Sequence, residues 1–198
     1  GRVVRARHEA HARLLRLRGE AMQKATPPGT GAMAALLGAE IDLARAICAK
    51  AATDPETGAT WFYHCHPREA PAPAEEHGHF HCFVRPEGKG GPIHHLIAIG
   101  VDAHGRPLRL FTVNQWVTGE NWVPAETAIG LLERFDVHLA RPDYLVNRWL
   151  TAMVRLHERQ IAALIEARDA ALAGLGEGAR EDRSREVLSE AMLTPPAG

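Results

Sequence analysis

The stretch His77-Gly78-His79-Phe80-His81-Cys82-Phe83 places a histidine at every second position. Three side chains spaced by two cannot share one face of a helix, but they share one face of a β-strand, where side chains alternate with period two. The same alternation occurs upstream in Tyr63-His64-Cys65-His66, and His94-His95 follows downstream. Eight of the 12 histidines fall between His64 and His104. A small antiparallel sheet with one histidine-lined face is the fold element that this pattern predicts.

The residues around the pattern supply the rest of an α+β domain. Four strands are expected, at Thr60–His66, His77–Arg85, Ile93–Asp102 and Pro107–Val117. Links rich in Pro and Gly join them in sequence, which makes a four-stranded antiparallel β-meander. Asp102-Ala103-His104-Gly105-Arg106 reads as a type I turn with Gly105 in the left-handed position. That turn predicts paired numbers on strands three and four that sum to 208, so that Ile97 faces Phe111 and His95 faces Val113. With Ile93, Ile99 and Val101 they would make the apolar face, leaving Leu96, Ala98 and Gly100 on the other. Strands one and two are expected to pair His66 with His77, His64 with His79 and Phe62 with His81.

Helices account for the remainder. Residues 5–24 are rich in Arg, Leu, Ala and Glu. Residues 31–52 carry an apolar stripe of Met33, Leu36, Leu37, Ile41, Ala44, Ile47 and Cys48 at helical spacing. Pro124 and Pro142 suit the first turn of a third helix (124–138) and of a long fourth helix (142–173). The fourth, with a stripe of Leu145, Trp149, Met153, Leu156, Gln160 and Leu164, would be about 48 Å long. Helices two and four are expected to pack together on the apolar face, and the fourth offers a surface for a homodimer. The chain divides into a basic N-terminal helix (1–28), a single α+β domain with the histidine-lined site (29–175), and a short polar helix (179–193) with a tail (176–198 as a unit).

Composition narrows the class. The chain has 198 residues, 45% hydrophobic and 24% charged, with a formal net charge of −1. No global field draws it to nucleic acid, and no apolar run reaches the roughly 18 residues of a membrane span. Residues 1–24 hold seven Arg or Lys against two Glu, but no aromatic residue to stack on a base. Three cysteines (Cys48, Cys65, Cys82) with no CxxC fit a reducing compartment, so a cytoplasmic location is expected.

The histidines define the candidate chemistry. Neutral imidazole is the commonest metal ligand and suits Zn and Fe. Directly opposed Cβ atoms of paired strands lie about 5 Å apart, close enough for imidazoles from two strands to share an ion. His64, His77, His79 and His81 are the predicted ligands of a mononuclear Zn or Fe ion. His66, His94, Asn114, Glu76 and Glu40 are predicted to support them or to act as acid or base. Glu40, inside an apolar stripe, needs a partner, for which Arg148 and Arg155 are candidates. Trp116 and Trp122 are candidate pocket walls, and Thr118–Trp122 a candidate lid. The expected function is a metal-dependent hydrolase or oxygenase acting on a small molecule, or else a non-catalytic metal- or ligand-binding accessory protein.

The segment His77–Phe83 also resembles the histidine-triad motif of nucleotide hydrolases and transferases, His-φ-His-φ-His-φ-φ with φ apolar, except that Gly78 occupies the first φ position. The resemblance covers about seven residues. It implies that His79, the middle histidine, attacks a phosphorus atom to give a nucleotidyl-histidine, with His77 and His81 in support. His79-Phe80-His81 is similar, too, to the two-histidine strand of α-type carbonic anhydrases and to the His-x-His of cupins.

Overall fold

The computed structural model describes residues 52–64, 75–102 and 104–193. The predicted helix at 5–24 and all of the one at 31–52 except Ala52, together with Glu40, His66, Cys48 and Cys65, lie outside them.

One antiparallel sheet forms the frame, in the order β1-β2-β3-β4-β5-β6. Its strands are β1 (Ala52–Thr53), β2 (Ala59–His64), β3 (Gly78–Val84), β4 (His94–Val101), β5 (Pro107–Val113) and β6 (Val187–Met192). The central four are the expected meander, except that the fourth ends at Val113, where the expected strand ran on to Val117. The turn after β4 also forms as expected. Gly105 has φ 78°, its N–H donates to the Asp102 carbonyl, and the Asp102 carboxylate accepts from His104 and Arg106.

Four helices follow the meander: α1 (Gln115–Thr118), α2 (Ala125–Gly130), α3 (Tyr144–Leu156) and α4 (Glu158–Leu172). Val146, Leu150, Val154, Ile161, Leu164 and Ile165 of α3 and α4 share one core with Trp61, Phe80, Ile97, Ile99 and Leu110 of the sheet. Removing such side chains from water contributes about 1.5–3 kcal/mol each. Asn147 adds specificity inside that core: its Oδ1 accepts from Trp61 Nε1 at 2.8 Å, and its Nδ2 donates to the Leu139 and Arg141 carbonyls. The Asp143 carboxylate caps α3 by accepting from the Leu145 and Val146 N–H groups.

Several expectations are corrected. The single helix at 142–173 is two helices, because the chain breaks at His157 (φ −104°, ψ 17°). Its buried face keeps Met153 and Leu164 of the expected stripe but is otherwise shifted: Leu145 and Leu156 are 53% and 77% exposed, while Val146, Leu150 and Val154 are buried. The helix expected at 124–138 ends at Gly130 and continues as a single 3₁₀ turn, Leu132–Arg134. Arg148 and Arg155 both bind the Asp136 carboxylate, and Glu40, for which they were candidate partners, lies outside the described residues.

The helix expected at 179–193 is strand β6 over Val187–Met192. Its composition favours a helix, but β5 would otherwise end the sheet with an open row of N–H and C=O groups. Pairing with β5 takes precedence over local propensity. The alternation of a strand then sorts the side chains. Ala191 and Leu193 pack on the core, while Glu190 reaches Arg109 on the opposite face. Ser189 ties β6 down, bonding Thr112 Oγ1 at 2.6 Å and the Leu164 carbonyl at 2.7 Å.

Candidate functional site

The face of the sheet opposite α3 and α4 gathers histidines from three strands. β2 and β3 pair in the expected register, Phe62 with His81 and His64 with His79. β3 and β4 then pair His79 with Gly100 and His81 with Ala98. On the next strand the partners of Gly100 and Ala98 are Arg109 and Phe111. The His64 and His79 rings are stacked with centroids 5.5 Å apart, and those of His79 and His81 are near-perpendicular at 4.7 Å. His79 and His81 are 4% and 3% exposed.

His79 is oriented by a carboxylate. Its Nδ1 lies 3.1 Å from Glu76 Oε1, and Arg109 grips the same carboxylate from Nε (2.6 Å) and Nη2 (3.3 Å). Arg109 also donates from Nη1 to Glu190 at 2.7 Å and lies over the Phe111 ring at 4.1 Å. Burial raises the Glu76 pKa, but the hydrogen bonds from His79 and Arg109 outweigh it and hold the group below its ordinary value. An ionised Glu76 only accepts, so His79 carries its proton on Nδ1 and its lone pair on Nε2. This tautomer is the one a metal ligand or a base acting through Nε2 requires.

Gly100 makes room for that contact. A Cβ there would lie 2.5 Å from Glu76 Oε2 and 3.0 Å from Arg109 Cγ. The small residues on this face therefore accommodate an ion pair. Gly100→Ala is expected to push Glu76 off His79 and to cost roughly 1–3 kcal/mol through overpacking. Ring ¹⁵N shifts would report the change as loss of the fixed Nδ1–H tautomer of His79. An unchanged His79 tautomer would show that Gly100 has no such role.

His81 is oriented by a second histidine. Its Nδ1 lies 3.0 Å from His95 Nε2. Burial first, then the charge of Arg168, lowers the His95 pKa to about 3, so His95 is neutral. The Ile97 backbone acts the other way and favours protonation. A neutral His95 with its proton on Nδ1 accepts on Nε2 from His81 Nδ1, and in that arrangement His81 carries its lone pair on Nε2.

Bulges explain where the expected faces were wrong. Cys82 pairs with Ile97 but Phe83 with His95, so Leu96 is an extra residue in β4. The bulge turns His95 onto the histidine face and Leu96 into the core. A second shift, at Gly100 and Val101, moves β5 by one residue. Ala98, Phe111 and Val113 consequently form a small apolar cluster on the histidine side, contrary to the expected facing of Ile97 with Phe111.

The other candidates separate. His77 leaves the triplet: its Nδ1 shares a 3.0 Å hydrogen bond with the hydroxyl of Tyr63, a core residue. Gly78 is required there, because a Cβ would meet the Tyr63 hydroxyl at 2.5 Å. His94 pairs with Val84 and donates from Nδ1 to the Asn121 carbonyl at 2.5 Å. Asn114 lies beyond β5, caps α1 through the Gln115 N–H and donates to the Ala179 carbonyl. The expected rim of His94 and Asn114 is therefore absent. Trp116 donates to the Arg185 carbonyl, and Trp122 carries Arg168 and Arg180 at 4.1 and 5.1 Å from its ring centroid. Trp122 lines a hollow with Asp169 and Leu172 of α4, away from the histidines. Cys82 is buried in the core on the face opposite His81.

Arg109 was not among the sequence candidates, and Glu120 was one only as part of the candidate lid Thr118–Trp122. Arg109 did carry a signal, a charged residue alternating with Phe111 and Val113 on a buried face, which demands a partner. Glu120 accepts from the His95 N–H at 2.6 Å while 3% exposed. Among the described residues, no group of three or more His, Cys, Asp or Glu side chains is arranged to hold a metal ion. No helix among them is long and apolar enough to cross a membrane.

A family model described as a domain of unknown function, DUF6969, matches residues 5–193. No curated protein and no solved structure matches the chain.

Proposed function

From its membership of the DUF6969 family the chain inherits no assigned activity, and we propose from its own residues that the histidine face binds one Zn or Fe ion through Nε2 of His79 and His81. The observation that carries this reading is the Glu76 carboxylate on His79 Nδ1, buttressed by Arg109. Metal-binding histidines characteristically have the other ring nitrogen held in this way. The His81–His95 bond supplies the equivalent support for the second histidine. His64, opposite His79 on β2 and exposed, is the third candidate ligand, brought in by rotation of its side chain. Remaining positions would go to water or substrate, as in catalytic sites. A zinc-bound water is acidic enough near pH 7 to act as a nucleophile, and two histidines with an oxygen ligand suit ferrous iron. The proposed activity is a metal-dependent hydrolase or oxygenase acting on a small molecule.

Elemental analysis of protein purified without a His tag tests the site. About one Zn or Fe per chain is expected, falling at least about tenfold in a His79→Ala/His81→Ala variant, which removes both imidazole ligands. Metal content unchanged by that variant, or no binding on addition of either ion, would refute the proposal. A complete shell of protein ligands around the bound ion would favour the accessory role over turnover.

Histidine-triad chemistry is the second reading. It is favoured by the fact that the middle histidine, His79, is the one a carboxylate orients. It is disfavoured by His77, which bonds Tyr63 instead of joining the other two. A nucleotide adduct trapped on His79 in metal-free protein would select this reading.

A further inference from the structure

β4 pairs with β5 from Ala98 to Val101. Nearer the start of β4, the residues after α1 take over the bonding. Asn121 exchanges hydrogen bonds with Ile93, its N–H to the carbonyl at 2.8 Å and its Oδ1 from the N–H at 3.0 Å. Its carbonyl accepts from the His94 ring. Glu120 extends this pairing inward with a side chain, accepting the His95 N–H on Oε2 at 2.6 Å. The other oxygen of this 3%-exposed carboxyl, Oε1, has no hydrogen-bond partner among the described residues. A buried carboxyl with one oxygen bonded and one unsatisfied is costly as an anion and cheaper with a proton on the unbonded oxygen.

Resting on the metal reading above, we infer that Glu120 is a positioning residue of the histidine site. It sets the His95 backbone, His95 sets the His81 ring, and ionisation of Glu120 tightens metal binding. The chain of contacts is short: Glu120 Oε2 to His95 N, then His95 Nε2 to His81 Nδ1 at 3.0 Å. Ionisation converts the first bond into a charge-assisted one, shorter and stronger than its neutral counterpart. It also puts a negative charge on the β4 segment that carries His95. The charged groups that face Glu120 are Arg168 and Asp169, both on α4, while His95 on β4 is neutral. Burial raises the Glu120 pKa to about 7, against the His95 hydrogen bond and Arg168, so the change of state falls near neutral pH.

Two measurements on the full chain test this, each with wild type and Glu120→Gln. The first follows the His95 amide by NMR through a pH titration in metal-free protein. A step with its midpoint near 7 is expected in wild type and not in the variant. The second measures zinc affinity by competition with a chelator at about pH 6 and about pH 8. Histidine protonation affects both proteins alike, so the ratio of affinities is the readout. Wild type over variant is expected to rise about fivefold between the two pH values, the size of one strengthened hydrogen bond. Absence of the amide step, or its persistence in Glu120→Gln, overturns the inference whether or not zinc binds. A step with zinc bound and an unchanged ratio also overturns it. If zinc does not bind but the step is present, the metal reading falls, and with it the regulation of metal affinity, while Glu120 control of His95 stands.

Discussion

Arg109→Met is expected to destabilise the protein by about 3–5 kcal/mol at pH 7, the cost of leaving a buried carboxylate without its cation. Methionine keeps the length and apolar bulk of the side chain, so the Phe111 contact is largely preserved. The lost interactions are the two hydrogen bonds to Glu76 and the one to Glu190. Glu76 is the sensitive partner, because its side chain is 1% exposed whereas that of Glu190 is 54% exposed. The folded pKa of Glu76 is depressed in the wild type, so the stability it contributes is present above 4.5 and is lost as pH falls through the folded value. In Arg109→Met only the His79 hydrogen bond is left to oppose burial, and the penalty should shrink in acid, where Glu76 takes up a proton. Urea unfolding at pH 7 and at pH 4 measures both quantities. Adding Glu76→Gln to Arg109→Met should recover most of the loss, since the residual charge is then gone. A cost under about 1 kcal/mol at pH 7, in the range of an exposed pair, would show that the network is solvated.

The sequence disclosed parts of this site unevenly, and the reasons are physical. The β2–β3 register was readable because only one parity brings His64, His79 and His81 to a single face, and the structure pairs His64 with His79 as expected. The turn after β4 was readable because Gly105 in the left-handed region leaves few alternatives. The next step failed. A bulge at Leu96 and a shift at Gly100 each add one residue, and alternation arguments assume that none is added. His95 was assigned to the wrong face for that reason alone. His77 is placed differently: it satisfies the alternation, but it precedes β3 and bonds the Tyr63 hydroxyl, which sits where any residue larger than Gly78 would clash. β6 was missed because an edge strand can form on a helix-favouring sequence when the neighbouring strand needs a partner. The support of the histidines comes from Glu76, Arg109 and Glu120, brought together across the fold. Of these only Glu76 is near enough in sequence to have been a candidate for that role.

Glu120→Gln is expected to stabilise the protein at pH 8 and to leave it nearly unchanged at pH 4.5. Burial raises the folded pKa of Glu120 from 4.5 to about 7, and the unfolded chain keeps the ordinary value. Below 4.5 both states hold the proton, and ionisation makes no difference to folding. Between 4.5 and about 7 the unfolded state is ionised while the folded state stays protonated. The folded state then binds more protons, so stability falls as pH rises. Above about 7 both states are ionised, and the accumulated loss is about 3 kcal/mol. Glutamine does not ionise and escapes that loss, while its carbonyl oxygen still accepts the His95 N–H. At acid pH it closely mimics the protonated acid, so the two proteins should unfold within about 0.5 kcal/mol of each other there. Thermal or urea unfolding of both proteins at the two pH values decides the matter. An equal difference at both, or a glutamine variant less stable at pH 8, would mean that folding leaves the Glu120 carboxyl at its ordinary acidity, its second oxygen met by a cation or solvent. The expected pattern would instead establish a group that loses its proton near neutrality, at the cost of stability, beside the histidine that orients His81.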